Sequence, residues 1–168
     1  DRSMDTAHAA RGRIRKVVIA GGGTAGWLAG CALAHQFRDL LDITLVESDQ
    51  IGTIGVGEST VPPIRNFHRF LQIDEQEFLR AVAGTFKLAI SFEGWRQPGD
   101  RYLHPFGPAG QGTWATPFHH FWLDSRRRGM PPSTLADFCL EGVAALADRF
   151  SLETRPQVNY AYHLDAGL

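Results

Sequence analysis

Apolar and polar positions change period several times along the 168-residue chain, and each change marks an element. Val17 to Ala20 is a short, nearly continuous apolar run that reads as a buried strand. It breaks into Gly21-x-Gly23-x-x-Gly26, and a helical period follows from about Thr24 to Phe37. Trp27, Leu28, Cys31, Ala32 and Leu33 cover much of that helix, which predicts extensive burial, with Cys31 a small core residue. Asp42 to Glu47 reads as a second strand. The next stretch, 51–60, has no period and carries glycines at 52, 55 and 57, so it reads as a loop. Ile51, Ile54 and Val56 alternate with those glycines, which suits a loop held against something apolar.

Ser59 or Thr60 is positioned to cap a following helix, with Pro62 near its first turn and Ile64, Phe67, Phe70 and Leu71 along one face. Asp74-x-x-Glu77 is a close variant of the capping box and starts another short helix that Gly84 ends. Thr85 to Phe92 alternates as one strand, with Phe86, Leu88 and Ile90 on one side and Lys87, Ala89 and Ser91 on the other. Residues 93–117, rich in Gly, Pro and aromatics, read as irregular. Phe118 to Arg128 reads as a helix whose three terminal arginines suit its C-terminal dipole. Ser133 caps an amphipathic helix carrying Leu135, Phe138, Cys139, Val143 and Leu146, and Val158 to Leu164 reads as a strand.

The strand, glycine turn and helix start form a dinucleotide-binding fingerprint. Gly21 allows the tight turn, Gly23 lets a pyrophosphate approach the backbone, and Gly26 lets the helix pack on the strand. The helix beginning at Thr24 and Ala25 directs its N-terminal N–H groups and positive dipole end at the phosphates. Glu47 closes the second strand about 20 residues on, where a carboxylate binds the ribose hydroxyl. A 2′-phosphate would be repelled there, so FAD or NAD is favoured over NADP.

Composition changes the picture by exclusion. A net charge of −1 gives no bulk electrostatic case for nucleic acid or an anionic membrane. Cys31 and Cys139 form no C-x-x-C pair, which argues against a disulfide scaffold or zinc site and suits a reducing cytoplasm. No apolar run is long enough to span a bilayer. Adjacent His119 and His120 diverge on a regular element, so no metal site is expected. Residues 1–13 read as a frayed N-terminus in which Asp1-Arg-Ser is a cloning remnant and Met4 the natural start. Lys87 is one of only two lysines, the other being Lys16. It sits either on a solvated strand face or beside a cavity as a buried ammonium with a depressed pKa.

Gly21-x-Gly23-x-x-Gly26-Trp27, Gly55-Val-Gly-Glu-Ser-Thr60 and Thr85-Phe-Lys-Leu88 together resemble the N-terminal part of a flavin-dependent halogenase of the tryptophan-halogenase type. The resemblance implies an α/β, Rossmann-like FAD-binding domain of the glutathione-reductase kind over residues 14–168, incomplete in this chain. It implies that Gly21, Gly23, Thr24, Ala25, Gly26 and Glu47 hold the ADP half of FAD. Gly55, Val56, Gly57, Glu58, Ser59 and Thr60 match the strap over the flavin ring, and Lys87 matches the catalytic lysine. His104 and Phe106 resemble contacts to the substrate ring. The implied activity is FADH2-dependent chlorination or bromination of an electron-rich aromatic such as tryptophan or indole, through hypohalous acid delivered by the lysine. Its partners would be a halide ion and a separate NADH-dependent flavin reductase, with a homodimer left open. The family's Trp-x-Trp-x-Ile-Pro motif and partner glutamate are not in this stretch, so the protein is expected to continue past Leu168. Another FAD-dependent aromatic monooxygenase with a structural Lys87, or a truncated flavin-binding module without turnover, stands as the alternative.

Overall fold

The structure, a computed structural model, describes residues 13–51, 58–153 and 157–165. These fall into two compact units, one of residues 13–51 with 70–72, the other of 58–69, 73–153 and 157–165. Both are α/β. The predicted strap residues Gly55, Val56 and Gly57 lie outside the described residues, as do 1–12.

The first unit is a Rossmann-like β-α-β unit. Strands β1 (Lys16–Ala20) and β2 (Asp42–Val46) pair in parallel, Lys16 opposite Asp42 and Ala20 opposite Val46. Helix α1 (Thr24–Phe37) crosses between them, as a parallel pair requires. Its glycine face makes the packing close. A Cβ on Gly26 would meet the Gly21 carbonyl oxygen at 1.9 Å, and one on Gly30 would touch Ile19 and Leu45. The expected burial of this helix does not hold: none of its residues is buried, Trp27 is 53% exposed and Cys31 is exposed. The reason is coverage. Only the face of α1 toward Ile19 and Leu45 meets the two strands among the described residues, and the opposite sheet face, with Val18 and Val46, is also open.

The second unit is built on a three-stranded antiparallel sheet in the order β3 (Glu58–Ser59), β7 (Ala161–Leu164), β4 (Thr85–Lys87). Helices α2 (Pro63–Phe70) and α3 (Glu75–Ala81) lie between β3 and β4 in sequence. Asp74 caps α3, accepting from the N–H groups of Gln76 and Glu77, as its spacing predicts. Strands β5 (Ala89–Glu93) and β6 (Arg101–Pro105) form a separate hairpin, followed by α4 (Phe118–Arg127) and α5 (Leu140–Leu146). The core comprises Leu88, Val158, Tyr160 and Tyr162, with Phe86, Phe78, Leu79 and Phe150 packed against it. Phe86 stacks on Phe150 at 4.0 Å and meets Tyr160 edge-on at 5.4 Å.

Several boundaries depart from the periodicity. The run Thr85–Phe92 is two strands that break at buried Leu88, because β4 pairs with β7 while β5 pairs with β6. Alternation persists through that change of partner, so it hides the break. Residues 101–105, read as irregular, are the second hairpin strand. The helix read from Ser133 is a short 3-10 turn at Leu135–Phe138 and then α5, with an extended break at Cys139. Its cap is Thr134, in a reciprocal box with Asp137, while Ser133 accepts from the Trp122 indole. The final strand pairs only from Ala161.

Candidate functional site

The predicted nucleotide-binding residues lie together in the first unit. Gly21 follows β1 at φ 121°, a conformation suited to glycine, and its N–H donates to the Val46 carbonyl at 2.8 Å. Gly23 is the N-cap residue of α1, and no side chain caps that helix. A Cβ built on Gly23 meets nothing within 4 Å, so the chain leaves open space there. Thr24 and Ala25 form the exposed first turn. Glu47 follows β2 with its carboxylate against the loop: a Cβ on Gly22 would overlap Glu47 Oε2. The turn is therefore tight where strand and helix meet, open at the helix start, and flanked by one carboxylate.

The second unit positions Lys87. The register places Thr85 and Ser59 opposite His163, and Lys87 opposite Ala161. Cross-strand partners share a face, so Lys87, Thr85, Ser59, His163 and Ala161 all lie on one side of the sheet. Phe86 and Tyr162 lie on the other, in the core. Lys87 is 9% exposed. Its Nζ donates to Ser59 Oγ at 2.6 Å and to the Thr60 carbonyl at 3.0 Å, and lies 5.4 Å from the centroid of the Phe106 ring. Burial holds this amine below the usual lysine range. His163 is likewise held low, by burial first and then by the Lys87 charge. Of the two readings of Lys87 open in the sequence, the solvated strand face does not hold.

Segment 58–60 is itself fixed to β7. Thr60 N and Thr60 Oγ1 donate to the Tyr162 carbonyl at 2.9 and 3.1 Å, and Tyr162 N donates to Thr60 Oγ1 at 2.9 Å. Ser59 and Thr60, expected to cap the next helix, serve Lys87 and β7 instead. Tyr162 is anchored from the core side. Glu75 accepts from the hydroxyls of Tyr160 and Tyr162, and Arg65 lies 3.8 Å from the same carboxylate and over the Tyr160 ring.

Lys87, Ser59, Thr60 and Phe106 are thus brought together. Phe106 is tied in through its N–H, which donates to the Leu88 carbonyl at 2.9 Å. His104 lies two residues earlier, exposed on β6 opposite Ile90. Glu58 is half-buried on β3 opposite Leu164. Ala161 and His163 carry no sequence signal of their own; only the pairing of β7 between β3 and β4 brings them to this face. His119 and His120, expected to diverge, have ring centroids 4.1 Å apart on α4. Among the described residues no group of three His, Cys, Asp or Glu side chains could hold a metal, and no helix is long and apolar enough to cross a membrane.

The tryptophan halogenase family model matches residues 16–168. Tryptophan 6-halogenase ThaL of Streptomyces albogriseolus is 35% identical over 173 residues, covering 92% of this chain and 32% of its own. A flavin-dependent halogenase from Xanthomonas campestris has a similar solved structure, with TM-score 0.82 and 51% identity over 92% of this chain and 31% of that one. BrvH, a flavin-dependent halogenase from Brevundimonas sp. BAL3, aligns with TM-score 0.77 and 41% identity over 92% of this chain and 32% of its own. The chain spans about a third of the length of these three proteins.

Proposed function

The chain belongs to the tryptophan halogenase family, and from that premise we propose that it forms the N-terminal part of an enzyme that halogenates an electron-rich aromatic such as tryptophan or indole. The observation that carries this reading is the buried Lys87 amine, held at 2.6 Å by Ser59 and 3.0 Å by Thr60 beside Phe106.

The cofactor is FAD. The loop supports it on three counts. Gly23 leaves space at the start of α1, where the dipole favours phosphate. Gly26 permits the close strand–helix approach, and Glu47 stands where a ribose hydroxyl would be bound. Gly21, Thr24 and Ala25 complete that cradle, and 55–60 is the strap segment. Held there as FADH2, the flavin would supply the two electrons that reduce O2, by which a halide ion and a proton would become hypohalous acid, with water and oxidised flavin as the other products.

The protein's own contribution is to hold the transferring halogen. A buried amine with a lowered pKa is an N–H donor and, when neutral, a nucleophile. As a donor, Lys87 polarises the O–halogen bond while the halogen passes to a ring carbon, the ring proton leaves and water forms. As a nucleophile the neutral amine takes the halogen from hypohalous acid, its own N–H proton leaving with the hydroxide as water, and the haloamine then passes the halogen to the ring carbon and becomes the amine again with the ring proton. Either route fixes which ring atom meets the halogen. Phe106 offers an aromatic wall for the substrate ring, and His104 a second contact. A separate NADH-dependent flavin reductase supplies FADH2.

In the full-length protein, Lys87→Ala is expected to lower single-turnover halogenation of indole by about 10²–10³-fold, with FAD affinity unchanged by fluorescence titration. Lys87→Arg fails to rescue, because a guanidinium cannot form the same haloamine. Full product yield from Lys87→Ala would remove the catalytic role.

A further inference from the structure

The sheet places two residues where they govern the direction of the Lys87 side chain. Lys87 lies on β4, Ser59 on β3, and β7 runs between them. Two strand spacings of about 4.8 Å separate the outer strands. An amine that reaches Ser59 Oγ at 2.6 Å therefore sends its stem across β7. The β7 residue opposite Lys87 is Ala161, whose methyl is the smallest side chain that still keeps the strand, and it is fully covered at 0% exposure. A larger residue there would stand in the path of the stem. At the far end Ser59 and the Thr60 carbonyl accept two of the N–H bonds an ammonium offers, and one donor direction remains for a reacting group.

We propose that Ser59 is a positioning residue for Lys87: its hydroxyl and the Thr60 carbonyl accept two N–H bonds of the ammonium or of the neutral amine, so the third direction, an N–H in the first and the lone pair in the second, is the same in both protonation states. This rests on Lys87 as the halogen-delivering residue, and it gives Ser59 a role apart from cofactor contact. The three hydrogen bonds between Thr60 and Tyr162 keep the hydroxyl in place. Among the described residues, the titratable and charged groups on the surrounding strands are His163 and Tyr162 on β7, Glu58 on β3, Glu93 on β5, and Arg101, Tyr102 and His104 on β6; His163 shares the Lys87 side of the three-stranded sheet and Tyr162 lies on its other side. His163 is held low by burial first and then by the Lys87 charge.

The test uses full-length Ser59→Ala and Ser59→Thr, with Lys87→Ala alongside. Ser59 is exposed on a two-residue edge strand, so its substitution leaves the core intact. The titration of Lys87 is read by trace acetylation across pH, following the Lys87 peptide by mass spectrometry. Loss of an acceptor from the charged form should move that titration downward in Ser59→Ala, and Ser59→Thr should restore it. Turnover with supplied FADH2 and bromide should fall about tenfold or more in kcat, with KM for indole little changed. An unshifted titration, a shifted titration with wild-type kcat, or loss of FAD affinity as the sole effect would each overturn the proposal. If Lys87→Ala still made product, the delivery role would fall, while the titration would still decide whether Ser59 holds the amine.

Discussion

Two kinds of buried titratable group lie on opposite faces of one small sheet, and they respond to pH with opposite sign. Burial disfavours the charged form of Lys87, so above its folded pKa the native state binds fewer protons than the unfolded chain. Its contribution to stability rises with pH through the window below 10.5. Tyr160 and Tyr162 behave the other way. Burial, reinforced by the hydrogen bonds to Glu75, pushes Tyr160 from 10.0 up to about 12 and raises Tyr162 as well. The neutral phenols therefore contribute stability fully below pH 10 and lose it as pH climbs through about 12. Replacing both by Phe is expected to lower stability at pH 7 by about 1–3 kcal/mol, because Glu75 loses two donors. The double variant should also lose less stability than wild type between pH 10 and 12. Denaturant melts at several pH values check this, and equal slopes for the two proteins would sink it.

The strand–glycine–helix element separates two glycine roles that look alike in a motif. Gly26 faces the Gly21 carbonyl, and a Cβ there would lie 1.9 Å from that oxygen. Gly23 has φ −74° and ψ 175°, which any residue adopts, and nothing lies within 4 Å of its Cβ position. Gly26→Val is therefore expected to cost more than about 3 kcal/mol and to unfold the β1–α1 packing. Gly23→Val should change stability by about 1 kcal/mol or less, yet abolish FAD binding, because its side chain occupies the space the pyrophosphate needs. Circular dichroism melts and flavin fluorescence on the full-length variants distinguish the two. A Gly23→Val protein that bound FAD normally would remove the fingerprint from the argument. The β4–β5 break at Leu88 matters at the same scale. It ends β4 with Lys87 and starts a separate hairpin whose last turn brings Phe106 to within 5.4 Å of the amine.

At the scale of the whole molecule, this stretch carries one dinucleotide fingerprint, which the proposed function gives to FAD. On the proposed function, in which a separate flavin reductase supplies FADH2, the purified full-length protein is expected to form no halogenated indole from NADH, FAD and bromide alone, and to do so once that reductase is added; rapid product from NADH without the reductase would refute this. The β1–α1–β2 unit was legible in the chain because its information is local: an apolar run, three glycines at fixed offsets, a helical period and a carboxylate at the end of the second strand. Asp74 as a helix cap was legible for the same reason. What could not be read is everything that depends on partners distant in sequence. The burial of α1 turned on how much sheet covers it, and Cys31 came out exposed. The split at Leu88 turned on which strand pairs with which. Ser59 and Thr60 have the chemistry of helix caps, but β7, about a hundred residues later, claims them through Tyr162. The family resemblance marked Lys87 as the residue of interest, while residue types and spacing left its environment undecided between a solvated face and a buried ammonium. Its burial, its hold on Ser59 and its path across Ala161 came only from strand order, because hydrogen bonds and exclusion of water belong to the assembled sheet and to no single segment of it.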